Sequence, residues 1–187
     1  MPVVKRRPVI VMRSAVPVPY PPGAFLQSSE SAEAILLEEV IAAIGESDPV
    51  LDLYAGLGTF GFAFAGAAMV HMVEGDAATA SAIAAAARAM VTVSVERRDL
   101  ARDPLPPQSL AKYAAAVVDP PRAGAARQVE TLARSGIDTV VAVSCNPATF
   151  ARDAARLIAG GYRVTRIVPI DQFVWNPHLE LVAIFGR

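Results

Sequence analysis

The chain has 187 residues, 53% of them hydrophobic, which suits a single domain burying about 70% of its unfolded surface and excludes a disordered chain. Its one cysteine excludes internal disulfides and a cysteine-rich metal site. The net charge of −1, from 17 basic and 18 acidic side chains, lacks the basic excess expected of a domain that holds nucleic acid unaided.

In chain order, Lys5, Arg6 and Arg7 are followed only by a brief apolar patch, Val9 to Met12. A secretory signal needs a longer apolar core, and no apolar run has the roughly 18 residues that span a bilayer. The expectation is a cytoplasmic protein without membrane or metal. Pro8 to Met12 reads as an edge strand and Ser14 to Gly23 as an extended, proline-rich connector, so residues 1–22 form a lead into one domain, 23–187. Gln27 to Ile44 has helical periodicity and stops at Gly45. Val50 to Tyr54 is a short buried strand, and Thr59 to Ala65 reads as a small-residue helix after a glycine turn. Ala68 to Val73 is a strand ending in Glu74, and Asp76 caps a helix to Met90. Val91 to Val95 is the next strand, with Asp99 in the loop beyond it, and Asp103 to Gln108 is a connector. Tyr113 to Val118, a helix around Ala125 to Arg134, Thr139 to Ser144, a helix opened by Asn146-Pro147 and ended by Gly160-Gly161, Tyr162 to Ile170 and Leu179 to Phe185 complete the pattern.

Strands alternating with helices imply a parallel sheet wound on both faces. The last two strands are separated by about eight residues, too few for a parallel crossover, so the final strand runs antiparallel. Its start then lies at the edge formed by the carboxyl ends of the parallel strands, where open α/β sheets bind ligands.

Gly56-Leu57-Gly58-Thr59-Phe60-Gly61 satisfies G-x-G-x-x-G, and Glu74 follows Gly58 by 16 residues, near the spacing of an acidic ribose ligand. A nicotinamide dinucleotide and S-adenosylmethionine both fit a glycine turn followed by an acid after the second strand. Asp52, just before the turn, favours the methyl donor, because its carboxylate can anchor the turn or an ammonium. The chemistry is carried further along. Asp119-Pro120-Pro121-Arg122 leaves an apolar strand and forms a rigid rim on which a flat ring can lie. Cys145 sits where a strand meets the start of a helix, a place that can lower a thiol pKa and favour the nucleophilic thiolate. His178 and Glu180 share one face at the start of the last strand, where a carboxylate can serve as a base.

Assembled, these segments resemble the methyltransferase domain of the RNA uridine-5-methyltransferases over nearly all of the chain from Gly23 onward. The resemblance is carried by A-F-L-Q (Ala24 to Gln27), D-L-Y-A-G-L-G-T-F (Asp52 to Phe60), V-E (Val73-Glu74), D-P-P-R-A-G (Asp119 to Gly124), S-C-N-P-A-T-F-A-R-D (Ser144 to Asp153) and D-Q-F…H-L-E (Asp171 to Glu180). Within the family, the lead into A-F-L-Q looks most like the bacterial enzymes acting on large-subunit ribosomal RNA.

The resemblance implies a class I methyltransferase (Rossmann-like) fold: an α/β doubly wound sheet, mostly parallel, with an antiparallel last strand. It implies an RNA (uracil-5-)-methyltransferase with S-adenosylmethionine as cofactor and RNA, ribosomal rather than transfer, as partner. Gln27, Tyr54, Thr59, Glu74, Asp99 and Asp119 match family positions around the cofactor, over the turn made by Gly56 and Gly58. Cys145 matches the nucleophile and Glu180 the base, Asp119 orients ring and cofactor, and Arg122 and His178 fall on the RNA side. Family members usually carry an N-terminal β-barrel RNA-binding domain, and many an iron–sulfur cluster; neither fits before Gly23, and Ala55 stands where the family commonly has cysteine. A catalytic domain, a cofactor-binding module inactive without its RNA-binding part, and a nicotinamide-dependent oxidoreductase are the readings that the structure must separate.

Overall fold

The computed structural model describes residues 9–27, 29–171 and 179–187. The strands are β1 (Ile10–Arg13), β2 (Val16–Pro19), β3 (Val50–Leu53), β4 (Val70–Glu74), β5 (Val93–Arg97), β6 (Ala115–Val118), β7 (Thr139–Ser144), β8 (Arg163–Ile170) and β9 (Glu180–Gly186). The helices are α1 (Glu30–Ile44), α2 (Gly61–Phe64), α3 (Ala77–Ala87), α4 (Pro107–Leu110), α5 (Ala126–Leu132) and α6 (Pro147–Ala159). β3 to β9 form one sheet in the order β5-β4-β3-β6-β7-β9-β8. β5, β4, β3, β6 and β7 are mutually parallel, and β9 runs antiparallel to both β7 and β8.

Period-2 alternation divides the interior between the two faces of this sheet. Val50, Met72, Val117, Val141 and Val182 pack in one core with α1, α2 and α3. Leu51, Leu53, Val73, Val118, Val140 and Ala183 pack in the other, with Leu110, Val129, Leu132 and Leu157 from α4, α5 and α6. Every residue of β3 and β6 is buried, as expected of central parallel strands covered on both sides.

Several boundaries differ from the sequence reading, each for a local reason. Ser29 caps α1 by accepting the Ala32 N–H at 3.1 Å, so the helix starts at Glu30 rather than Gln27. The connector expected at Ser14 to Gly23 contains β2, which pairs with β1 in a separate hairpin. Val16 and Val18 of β2 join the α1–α3 core, and Pro17 and Pro19 are tolerated because a two-stranded hairpin leaves each strand one free edge. β5 begins two residues late, because Met90 to Val93 turns first and leaves Val91 94% exposed. Pro107 starts a single helical turn inside the expected connector. Placing β9 between β7 and β8 is a topological fact that strand spacing alone does not fix.

No helix among the described residues is long and apolar enough to cross a membrane, and no group of three or more His, Cys, Asp or Glu among them could hold a metal ion.

Candidate functional site

The glycine turn rises from the carboxyl end of β3. Tyr54 adopts φ +62°, a left-handed conformation costing about 1–3 kcal/mol in a bulky residue, and reverses the chain directly after the strand. Gly56 (φ +55°) and Gly58 (φ +78°) continue the turn. A Cβ at Gly58 would lie 2.5 Å from the Phe62 ring, so this position demands glycine, whereas the Cβ direction of Gly56 faces open space. Two carboxylates hold the turn. Glu74 accepts the Gly56 N–H at 2.8 Å and the Asp76 N–H at 2.7 Å, bridging the ends of β3 and β4. Asp52, fully buried, accepts the Gly61 N–H at 2.8 Å through Oδ2 and has no partner for Oδ1 among the described residues. Burial first, and the Glu74 charge after it, push Asp52 up to about 7 against the pull of the Gly61 N–H.

The expected helix from Thr59 to Ala65 is only the turn Gly61–Phe64. Its first amides are engaged, Gly61 by Asp52 and Phe62 by the Gly58 carbonyl at 3.0 Å, so it does not present the free N–H groups that a longer helix would. Thr59 in the turn is half-buried; Gln27, ahead of α1, is half-buried too, and its Oε1 is buried without a partner among the described residues. Asp99 is exposed in the loop after β5, where it accepts the Ala101 N–H at 3.1 Å. Burial, then the charges of Asp153 and Asp99, push the Tyr54 phenol up to about 12.

The second half of the site lies across β6, β7 and β9. Asp119 leaves β6 beside β3, donating its N–H to the Leu53 carbonyl at 3.2 Å. Cys145 follows β7 directly, and Asn146 caps α6 by accepting the Ala148 N–H at 3.1 Å, with Pro147 in the first turn. Ser144 pairs with Leu181 as the last pair across β7 and β9, so Cys145 and Glu180 are the next residues of the two strands at that edge. Glu180 is 3% exposed, and its Oε2 has no partner among the described residues. Arg122 is exposed, and its carbonyl accepts from Asn146 Nδ2 and from Thr149 Oγ1, each at 3.1 Å.

The acids at this edge oppose one another. Burial raises the Glu180 pKa. Burial, with Glu180 and Asp52 added, pushes Asp119 up to about 8. The helix start was expected to lower the Cys145 thiol. Instead burial raises it, Glu180 and Asp119 raise it further, and the Arg122 cation and a backbone hydrogen bond only partly offset them. Burial, together with the charges of the two carboxyls, outweighs the helix end.

Asp52, Gly56, Gly58 and Glu74 thus gather around the glycine turn, and Asp119, Cys145 and Glu180 meet at the adjoining strand ends; His178 lies outside the described residues. Sequence reasoning missed Arg152 and Asp153, which hold the loop of residues 119–125 from α6. Their signal was spacing: Asn146, Thr149, Arg152 and Asp153 share one helical face. The dinucleotide alternative is set aside, because β9 enters the sheet antiparallel between β7 and β8 and a solved structure of this shape at 30% identity is a methyltransferase holding S-adenosyl-L-homocysteine.

A family model described as tRNA (Uracil-5-)-methyltransferase matches residues 105–186. An RNA methyltransferase of Brucella suis biovar 1 is 47% identical over 99% of this chain and 45% of its own length. The 23S rRNA (uracil(1939)-C(5))-methyltransferase of Chromohalobacter salexigens is 37% identical over 89% of this chain and 35% of its own. The crystal structure of the Pyrococcus abyssi tRNA (uracil-54, C5)-methyltransferase with S-adenosyl-L-homocysteine superposes with a TM-score of 0.80 at 30% identity, covering 95% of this chain and 44% of that one. The chain spans less than half the length of these relatives. With a class I methyltransferase fold, an antiparallel β9, and D-P-P-R and S-C-N-P motifs at adjoining strand ends, the chain is similar over nearly all of its length to RNA uracil-5-methyltransferases.

Proposed function

We propose that this chain is the catalytic domain of an S-adenosylmethionine-dependent enzyme that methylates carbon 5 of a uridine in RNA, with ribosomal RNA as the substrate. The observation that carries the reading is the β7–β9 register, whose last pair, Ser144 with Leu181, leaves Cys145 and Glu180 next to one another at the same sheet edge, within reach of each other's charge. The ribosomal choice is supported by 37% identity to a ribosomal RNA enzyme against 30% to a transfer RNA enzyme.

The residues of the glycine turn fit the cofactor. Gly56 leaves an open face, each Glu74 oxygen retains a lone pair after accepting one amide, and Gln27 offers an unsatisfied buried acceptor. Gln27, Tyr54, Thr59, Glu74, Asp99 and Asp119 would surround it. When bound, S-adenosylmethionine supplies a methyl group on a positively charged sulfur.

Carbon 5 of uracil is too poor a nucleophile to take that methyl unaided. The Cys145 thiol first loses its proton to solvent, and the thiolate then adds to carbon 6, placing enolate-like electron density on carbon 5. After methylation, Glu180 removes the carbon 5 proton, the carbon 5–carbon 6 double bond reforms, and the thiolate leaves with the electrons of the carbon–sulfur bond. Asp119 orients the ring, Pro120 and Pro121 form its rim, and Arg122 and His178 are assigned to the nucleic acid. The base reaches so enclosed an edge only by leaving its stack.

A second reading is a cofactor-binding module that depends on a separate RNA-binding part, because the chain spans 45% of the Brucella relative and carries a net charge of −1. Phosphate contacts supply much of RNA affinity. The test is transfer of labelled methyl to unmodified ribosomal and transfer RNA, with Cys145→Ala as control. Label at uridine carbon 5 of ribosomal RNA, lost in the control, is the expected result. Label on transfer RNA alone replaces the substrate, and cofactor binding without transfer to either RNA selects the second reading.

A further inference from the structure

The loop from Asp119 to Ala125 carries the ring-orienting acid and has little backbone bonding of its own: the Asp119 N–H reaches the Leu53 carbonyl and the Gly124 N–H the Pro121 carbonyl at 2.8 Å. Pro120 and Pro121 between them have no N–H to donate. A small apolar void lined by Pro120, Gly124 and Phe150 lies behind it, leaving room to settle. Further restraint comes from α6. Asn146 and Thr149 donate to the Arg122 carbonyl, and Arg152 Nη2 donates to the Ala123 carbonyl at 2.9 Å. Asp153 Oδ2 accepts the Ala125 N–H at 2.7 Å, while Asp153 Oδ1 accepts from Arg152 Nε at 2.9 Å.

These bonds grip the loop backbone and leave the Arg122 side chain exposed. Gly124, at φ +77°, passes so close that a Cβ there would lie 2.4 Å from Arg152 Nη2 and 2.6 Å from Asp153 Oδ2. Asp153 is itself 8% exposed and takes part in no step of the chemistry above. Its helix begins two residues after the nucleophile, so the group that grips the Asp119 loop is rigidly joined to Cys145.

We infer that Asp153 is a positioning residue, fixing the 119–125 backbone to α6 so that Asp119 and Cys145 keep one spacing across the substrate ring. The inference rests on the assignment of those two residues to one active site. Arg152 aligns the Asp153 carboxylate, and Gly124 permits the close approach.

The test compares the parent protein with Asp153→Ala and Asp153→Asn. Asp153→Ala is expected to lower kcat for methyl transfer about 100-fold, since small misplacements carry losses of that order, with KM for S-adenosylmethionine within about twofold. Amide exchange over residues 122–125 should quicken at least about tenfold in the same variant, a rise of the kind expected when local opening becomes easier. Asp153→Asn keeps an acceptor for the Ala125 N–H and should recover about tenfold of the lost kcat. A parent-like kcat in Asp153→Ala overturns the inference, as does unchanged exchange. If Asp153→Ala does not fold, Arg152→Ala combined with Thr149→Val removes two grips from the surface. That pair should lower kcat about tenfold at unchanged melting temperature, and full activity there overturns the inference.

Should the parent protein methylate no RNA, the functional reading fails, and Cys145 alkylation decides the positioning claim separately. Loosening of the loop takes Asp119, the stronger influence on the sulfur, away together with Arg122, so the pH midpoint of alkylation in Asp153→Ala should move downward. An unmoved or raised midpoint overturns it.

Discussion

Glu74 closes β4 and Glu180 opens β9, so both carboxyls stand at the ligand edge of one sheet. Glu74 spends an oxygen on each of two backbone amides and stitches the glycine turn to the start of α3. Glu180 is 3% exposed with one oxygen unpartnered among the described residues, near a thiol that its charge makes harder to ionise. The contrast separates two kinds of order. Around Glu74 the backbone is fixed in advance, so binding there requires little rearrangement. Around Glu180 a buried acid is kept short of hydrogen bonds, a local arrangement that works against stability and suits proton transfer.

The most damaging way to probe the reactive half is Cys145→Ala. Methyl transfer should fall by more than about 10⁴-fold, the scale of removing a covalent nucleophile, while calorimetry finds S-adenosylmethionine affinity within about threefold of the parent. Loss of cofactor binding as well would mean that the two halves are not separable. Glu180→Gln should slow turnover by about 10²–10⁴-fold, the range for a general base, and leave RNA covalently attached to the protein on denaturing gels. Free RNA with normal turnover would remove Glu180 from its role. On the other side, Glu74→Ala strips acceptors from two amides and should weaken cofactor affinity about 10–100-fold, in keeping with about 1.5–3 kcal/mol for hydrogen bonds to a charged group. Cys145 alkylation should not change in that variant; a large change there would dissolve the contrast.

The smallest effect is a shift of protonation. The Cys145 thiol lies above its ordinary value, through burial and then Glu180, so alkylation should rise only at alkaline pH, and Glu180→Gln should move the midpoint down. An unmoved midpoint would show that the Glu180 charge does not reach the sulfur. Asp52 gives the matching test of the turn. Its pKa is about 7 in the fold against the usual 3.8, so the folded chain retains a proton that the unfolded chain releases. Stability from this group is therefore full below about pH 4 and is lost as pH rises through about 7. Asp52→Asn keeps an acceptor for Gly61 and should raise the melting temperature more at pH 8 than at pH 5; equal gains would place the acid outside that balance.

Much of the glycine turn was legible because its constraints are local. Gly58 must be glycine for φ and for Phe62, and Glu74 lies within one strand–turn–strand unit. The antiparallel β9 was legible from linker length, and the Asn146 cap from two adjacent residues. The Cys145 ionisation was misread because it depends first on burial and then on acids 26 residues before and 35 after it, none of which the neighbouring helix end announces. The Asp153 grip escaped for a similar reason: its partner is the Ala125 amide, and no residue type announces a backbone N–H. β2 was hidden by its prolines, which usually mark connectors and here occupy a hairpin outside the main sheet.

β9 follows β8 in the chain but lies between β7 and β8, and this order has a consequence for how the molecule is made. Until Glu180 to Gly186 has emerged and folded, β8 has no strand beside it and the open side of β7 is bare. Cys145 and Glu180 thus come together only in the final zipping of the sheet. A growing or clipped polypeptide lacking that strand would display its sulfur without the carboxyl of Glu180, and under the proposed mechanism would keep any RNA that it had captured.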